Sequence, residues 1–200
     1  MILPATDFLF ATQIGAYSTA AKVRNLPKSI CSRQTTVDHM NDHKDFLTQH
    51  FPYLIKNVHP KKEPKWGIMT PQHMLEHMQR AFDASTEKVV PQPQLEQAKL
   101  DKNKLYFFAA DIPFPRHYQY NIKKRKAPKL ESLRYRSYES ALRNLKRSHS
   151  RFMNQIEKDP DALSLHPFLG VLDNQEWIDF HGRHTIHHLR QFSVVEELIE

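Results

Sequence analysis

The sequence predicts an all-α protein, a four-helix bundle with a long crossover connection between its second and third helices. Four segments of the 200-residue chain repeat apolar side chains at helical spacing. Glycine is scarce, with four residues, whereas thirteen prolines are concentrated in the connections. Runs of alternating Val, Ile and Thr, which are typical of β-sandwiches and barrels, are few.

The first predicted helix begins at Val37, after a segment of different composition. Residues 1–36 contain one acidic residue, four basic residues and eight Ser or Thr residues. Such a composition is typical of a targeting segment or a flexible tail, so we expect the folded domain to span residues 37–200. Pro52 interrupts the last turn of this helix. Its apolar stripe comprises Val37, Met40, Leu47, Phe51 and Leu54.

The second predicted helix has a defined start. Thr70 is a good N-cap, and Pro71 occupies the first helical position, where a missing N–H costs nothing. The helix is expected to end before Pro91, and His77 lies beside its stripe of Met74, Met78, Ala81 and Ser85.

The connection 91–129 is rich in proline but too apolar for a free linker, so we expect it to pack over the bundle as a lid or crossover. The third predicted helix follows over residues 131–159 and stops at Pro160. Its stripe comprises Tyr138, Leu142, Leu145, His149, Phe152 and Ile156. We interpret His149 as a hydrogen-bonded core residue and His166, before Pro167, as a loop residue.

The fourth predicted helix carries the most unusual pattern in the chain. It starts near Asp173, with Glu176 three residues on as a capping box. Its inner stripe reads Trp177, His181, His184, His188, Gln191 and Val195. Apolar residues at both ends indicate that this stripe faces inward, which would bury three imidazoles. Each unpaired buried polar group costs about 1–3 kcal/mol, so the pattern needs an explanation.

A divalent metal would supply that explanation. His184 and His188 lie one turn apart on one face, and imidazole suits zinc or a similar ion. His77 is the leading third ligand, and His73 offers a competing pair with it. His181 could be a ligand itself or an outer-shell residue. Of the remaining side chains, Gln191 could bond a ligand or a bound water, Glu76 could orient a substrate, and His187 is expected to be exposed or in the outer shell.

Two stretches resemble a known group of proteins. Residues 66–77 read WGIMTPQHMLEH, and 166–170 (HPFLG) are followed by Glu176-Trp177 and by 181–192 (HGRHTIHHLRQF). Over residues 37–195 the chain resembles an uncharacterised branch of the DinB-like (YfiT-like) superfamily. The resemblance implies a four-helix bundle that binds a divalent metal through His77, His184 and His188. It also implies a small-molecule substrate, possible use of a low-molecular-weight thiol, and a homodimer.

Three functions follow as hypotheses. In the first, the metal serves a thiol-dependent transferase or a hydrolase, because three neutral imidazoles leave coordination positions open. Zinc is favoured, and nickel, iron or manganese are alternatives. In the second, the metal is structural and a fourth ligand, His181 or His73, closes the site. In the third, the chain is a basic scaffold or nucleic-acid-associated protein, since 11 of its 29 Lys and Arg lie within residues 123–151.

Charge and cysteine content narrow these alternatives. The formal net charge is +7, but no nucleic-acid motif accompanies the basic run 123–126, so nucleic acid is the less favoured partner. The single cysteine, Cys31, excludes an internal disulfide framework and a cysteine-based zinc cluster. A reducing, cytoplasmic location is therefore expected. No apolar run approaches the roughly 20 residues of a membrane span.

Overall fold

The computed structural model describes residues 42–87, 92–109, 114 and 130–195, and this part of the chain is mostly helical, as predicted. The predicted tail 1–36, the helix start at Val37 and the basic run 123–126 lie outside these residues. The described helices are α1 (43–57), α2 (Pro71–Ser85), α3 (Gln97–Ala109), α4 (Tyr138–Lys158) and α5 (Asn174–Gln191). Strands β1 (Ser164–His166) and β2 (Gly170–Leu172) form an antiparallel hairpin before α5.

Helix α1 accommodates Pro52 by changing its winding. It comprises an α-turn His43–Asp45, a π-helical segment Phe46–His50, an α-turn Phe51–Leu54 and a 3₁₀ turn Ile55–Asn57. The Phe51 N–H bonds the Phe46 carbonyl, five residues back. In the same winding the Leu47 carbonyl would bond residue 52, which as proline has no N–H. His149 of α4 supplies the missing donor, with its Nε2 3.0 Å from the Leu47 oxygen. The prediction that His149 is a satisfied core residue is confirmed.

Helix α2 begins as its sequence predicts. The Thr70 hydroxyl accepts a hydrogen bond from the His73 N–H, and Pro71 is the first helical residue. The helix ends at Ser85, before Pro91. The buried face is wider than the predicted stripe, because Leu75 and Phe82 are fully buried beside Met74 and Met78.

The predicted start of the third helix at residue 131 is wrong, because α4 begins at Tyr138. Ser137 and Ser140 form a reciprocal capping box that starts the helix. Before it, the buried Glu76 carboxylate of α2 accepts hydrogen bonds from the backbone N–H of Arg134, at 2.7 Å, and of Tyr135, at 3.2 Å. These bonds hold residues 134 and 135 outside the helix and against α2.

The predicted crossover connection contains a helix of its own, α3, which the sequence pattern did not indicate. It lies against β2 and reaches α5, where the Phe107 carbonyl accepts a bond from Arg183 at 2.9 Å. The prediction of His166 as a loop residue is also wrong. His166 ends β1 and is buried, and its Nδ1 accepts bonds from the N–H groups of Phe168 and Leu169, which fixes the hairpin turn.

The core lies between α2, α4, α5 and α1. Helix α2 packs most extensively on α4 and also contacts α5 and β1, whereas α1 packs on α5. Asp83 links α2 to α4, since its carboxylate accepts hydrogen bonds from Ser148 at 2.6 Å and from Arg151 at 3.0 Å, both on α4. The largest fully buried side chains are Trp177, Phe46, Phe51, Phe82, Phe152 and Phe192.

Within the described ranges, no helix has the length and apolar composition that crossing a membrane requires.

The α1–α5 contact depends on Gly182. A Cβ atom at this position would lie 2.5 Å from the Cβ and the Cγ of His43, whose ring bonds Asp179 at 3.2 Å. We therefore expect Gly182→Ala to lower the free energy of unfolding by about 1–3 kcal/mol, as overpacking does, despite the better helix propensity of alanine. Urea denaturation measures this. In a His43→Gly background the same change should cost much less, and an equal cost in both backgrounds would contradict the clash.

Candidate metal centre

Three histidines from two helices converge at one point of the structure. The Nε2 atom of His184 lies 2.9 Å from Nε2 of His77 and 3.0 Å from Nε2 of His188. A ligand atom from each of the three lies within 4.8 Å of the other two. A tetrahedral ion with metal–nitrogen bonds of about 2.0–2.1 Å separates its nitrogens by roughly 3.3 Å. The group therefore needs only a slight expansion to hold a divalent ion.

The positions of these side chains follow from helix geometry. His184 and His188 are one turn apart on α5, so both project from the buried face of that helix. His77 lies in the middle of α2, which packs against α5. His184 and His188 are each 5% exposed and His77 is partly buried. The grouping predicted from the sequence is thus present in the fold.

The three imidazoles are in the neutral form that binds metals. Burial lowers the pKa of His77 to about 4, with the Arg80 and His187 charges acting in the same direction. Burial is also the main cause that lowers the pKa of His184 and of His188. At neutral pH each ring therefore has one nitrogen lone pair free to bind a metal.

A chain of hydrogen bonds selects the correct nitrogen of His188. The Gln191 amide donates to the Trp66 carbonyl at 2.8 Å, so its NH₂ end faces Trp66 and its oxygen faces His188. That oxygen lies 2.9 Å from Nδ1 of His188 and can only accept, so Nδ1 carries the proton. The Nε2 lone pair is consequently directed at His77 and His184. This supports the prediction that Gln191 bonds a ligand, and outer partners of this kind orient metal-binding histidines.

Gly67 allows the loop before α2 to reach Gln191. Its φ is +78°, a backbone conformation that favours glycine, and a Cβ there would lie 3.1 Å from the Gln191 Nε2. The Lys65 N–H also bonds the Gln191 carbonyl, at 2.7 Å. The loop thereby fixes the side chain that orients His188.

We expect Gln191→Met to weaken metal binding about 10- to 100-fold, because loss of an outer partner frees the orientation and tautomer of His188. Competition with a chromophoric chelator measures the affinity. Gln175→Met is the matched control, since Gln175 is on the same helix but bonds the Asp179 carboxylate at 3.2 Å. Equal affinities of the two variants would show that Gln191 does not support the site.

The other predicted site residues lie outside the group. His73 bonds the Thr70 hydroxyl at 2.6 Å through its Nδ1, and Glu76 binds the backbone ahead of α4. His181 is stacked on Phe82, with ring centroids 4.0 Å apart, and its Nε2 lies 2.9 Å from the Ser85 hydroxyl. Its interpretation as an additional ligand is therefore not supported. In the part of the chain that the structure describes, no fourth His, Cys, Asp or Glu joins the three histidines.

Aromatic side chains lie beside the group, and sequence reasoning gave them no role. The Phe114 ring is 5.4 Å from the His184 ring and 5.8 Å from that of His187. Phe180 lies 5.3 Å from His184, and His187 is partly buried with its ring 5.4 Å from Trp66. Phe114 belongs to the connection after α3, and no periodic pattern in that segment indicated this position.

Buried histidines also predict how stability depends on pH. Burial lowers the pKa of His149 to about 4 and that of His166 to about 3, from about 6.5 in an unfolded chain. Between these values the unfolded state binds more protons. The contribution of the neutral, buried histidines to the free energy of unfolding is therefore complete above about pH 6.5. It is lost as pH falls toward the pKa values of the folded state.

The substitution His149→Gln keeps a donor for the Leu47 carbonyl but removes one titrating group. We expect it to reduce the slope of the free energy of unfolding against pH by up to about 1.4 kcal/mol per pH unit, which corresponds to one proton. Urea unfolding between pH 7.5 and 5 in the presence of a chelator measures the slope. Identical slopes for the two proteins would mean that His149 titrates normally in the folded state.

No protein-family model, no curated protein and no solved structure matches the chain.

Proposed function

We propose that this chain is a divalent-metal-dependent enzyme of the DinB-like type, in which His77, His184 and His188 hold the metal. The convergence of three Nε2 atoms, with separations of 2.9 and 3.0 Å, is the observation that carries the proposal. Their donor set is three neutral imidazoles, which suits zinc and also admits nickel, iron or manganese.

The arrangement of the helices supports the resemblance on which the family assignment depends. Helices α1, α2, α4 and α5 are the candidates for the four members of the bundle, and α3 occupies the long connection between the second and third of them. The ligands then come from the second and fourth bundle helices, as the resemblance implies.

Among the described residues only three side chains form the group, which favours a catalytic role over a purely structural one. Structural zinc sites are usually closed by four protein ligands, whereas catalytic sites use three and leave a position for substrate or water. When bound, the metal would supply a Lewis acid that favours the deprotonated form of a thiol or a water molecule. The protein would supply the orientation of the ligands, through Gln191 and the Trp66 carbonyl.

Between the two reactions, we favour transfer of a small thiol over hydrolysis. Phe114 and Phe180 place apolar rings directly against His184. Such surroundings disfavour free access of water and suit a soft, poorly hydrated ligand such as a thiolate. Hydrolysis of a small ester or amide is the alternative outcome.

Cobalt substitution tests the proposal, because Co²⁺ in a site of this kind reports on its ligands by absorption. We expect small thiols to add a sulfur-to-cobalt charge-transfer band and the zinc-loaded protein to consume a thiol together with an alkylating electrophile. His77→Ala should lose both properties and His73→Ala should keep both. A catalytic role would be contradicted if the protein bound cobalt, the cobalt spectrum did not change on addition of thiols, and activated esters were not hydrolysed.

A further inference from the structure

Arg80 places a positive charge near His77, one of the three proposed metal ligands. It lies one turn after His77 on α2, so the two side chains project from neighbouring positions on the helix. The proximity of its charge is one of the causes that lower the pKa of His77. The Arg80 side chain is one-third exposed, which leaves it accessible to a ligand.

Among the described residues, the group of metal-binding side chains contains three histidines and no carboxylate. Glu76, the acidic residue nearest to His77 along α2, is turned to the N–H groups of Arg134 and Tyr135. A divalent ion on neutral ligands beside a guanidinium therefore leaves a positive charge that an incoming anion would compensate.

The present partner of Arg80 is weakly held. Its guanidinium lies 2.8 Å from the Glu131 carboxylate, but Glu131 is 71% exposed and precedes α4. An exposed ion pair of this kind contributes between about zero and 1 kcal/mol. A ligand carboxylate that is anchored at the metal could replace Glu131 at little cost.

We infer that Arg80 selects the substrate: the metal ligand of this protein is a small molecule that carries, besides its metal-binding group, a carboxylate or similar anion that Arg80 binds. This inference rests on the proposed metal centre and names the class of molecule that it accepts. A guanidinium binds a carboxylate through two parallel hydrogen bonds, which gives orientation as well as affinity.

Matched thiols on the cobalt-loaded protein test the inference. The probes are ω-mercapto acids with one to three methylene groups, each paired with the mercapto alcohol in which CH₂OH replaces the carboxylate. We expect at least one acid to bind about tenfold more tightly than its alcohol, because a charge-assisted bidentate contact contributes at least that factor. Arg80→Gln should remove the preference while the cobalt content stays the same.

Three further variants make the outcome decisive. Arg147→Gln removes an equal charge from the exposed face of α4 and should leave the preference unchanged. Arg80→Lys should keep part of it. Glu131→Gln, which frees Arg80, should raise acid binding about two- to threefold, in line with the small worth of an exposed pair. If Arg80→Gln loses cobalt, Glu131→Gln provides the test instead. A preference for the acid over the alcohol that is unchanged in Glu131→Gln would then overturn the inference.

A preference that survives in Arg80→Gln, or an absence of preference in the unmodified protein, overturns the inference while leaving the metal centre intact. Failure of the proposed function is distinct, because then the protein would not bind cobalt or neither member of any thiol pair would change its spectrum.

Discussion

His184→Ala should abolish stoichiometric metal binding. His184 occupies the centre of the group, with its Nε2 within 3.0 Å of both partner nitrogens, so its removal leaves only two of the three ligands, His77 and His188. Loss of a residue that only hydrogen-bonds a ligand weakens metal affinity about 10- to 100-fold. Loss of the ligand His184 itself should therefore weaken the affinity by more than about 100-fold. Metal content after dialysis and competition with a chelator measure the effect.

The same substitution should remove stabilisation by metal. A ligand at about 100 times its dissociation constant stabilises the folded state by about 2.7 kcal/mol, which thermal unfolding detects. We expect zinc to raise the melting temperature of the unmodified protein but not that of His184→Ala. The variant His73→Ala should still respond to zinc, because the His73 ring bonds Thr70 and lies outside the group. A zinc-dependent rise that persists in His184→Ala would place the metal elsewhere.

Phe82→Ala should be the most destabilising core substitution in α2. Phe82 is fully buried and its ring contacts those of Phe51, Phe152, His149 and His181. Truncation of a buried phenylalanine costs about 3–5 kcal/mol, through lost transfer energy and the cavity that remains.

Denaturant unfolding monitored by far-UV circular dichroism measures this cost. Leu105→Ala is the control, because Leu105 is 72% exposed and should change stability by less than about 0.5 kcal/mol. A cost below about 1 kcal/mol for Phe82→Ala would mean that the packing between α2 and α4 is looser than the structure shows.

Local signals in the sequence predicted the parts of the fold that depend on neighbouring residues. The Thr70–Pro71 start of α2 and the Asp173–Glu176 capping box of α5 are both present, since each uses groups within four residues. The inward stripe of α5 is confirmed as far as Gln191, since Trp177, His181, His184, His188 and Gln191 are all buried. The predicted continuation to Val195 is wrong, because the helix ends at Gln191.

The features that the sequence did not predict depend on distant partners. Glu76, some sixty residues earlier, holds residues 134 and 135 outside α4, and His149 compensates the winding of α1 at Pro52. Neither contact has a local signature.

The candidate site shows the same division. The spacing in the sequence predicted that His184 and His188 share one face of the helix. Only the structure shows that His77 and not His73 joins them, and that His181 packs in the core beside Phe82. The contribution of Phe114 required the path of the connection after α3, and the pairing of Arg80 with Glu131 required the segment before α4.

X-ray absorption spectroscopy at the zinc edge, on protein reconstituted with one equivalent of zinc, tests the metal centre most directly. We predict three imidazole nitrogens at about 2.0–2.1 Å, no protein sulfur, and one light atom in the remaining position. His77→Ala should lower the imidazole number, and His181→Ala should leave it at three. Substoichiometric zinc, a shell without imidazole, or four imidazoles in the unmodified protein would contradict an open site formed by His77, His184 and His188.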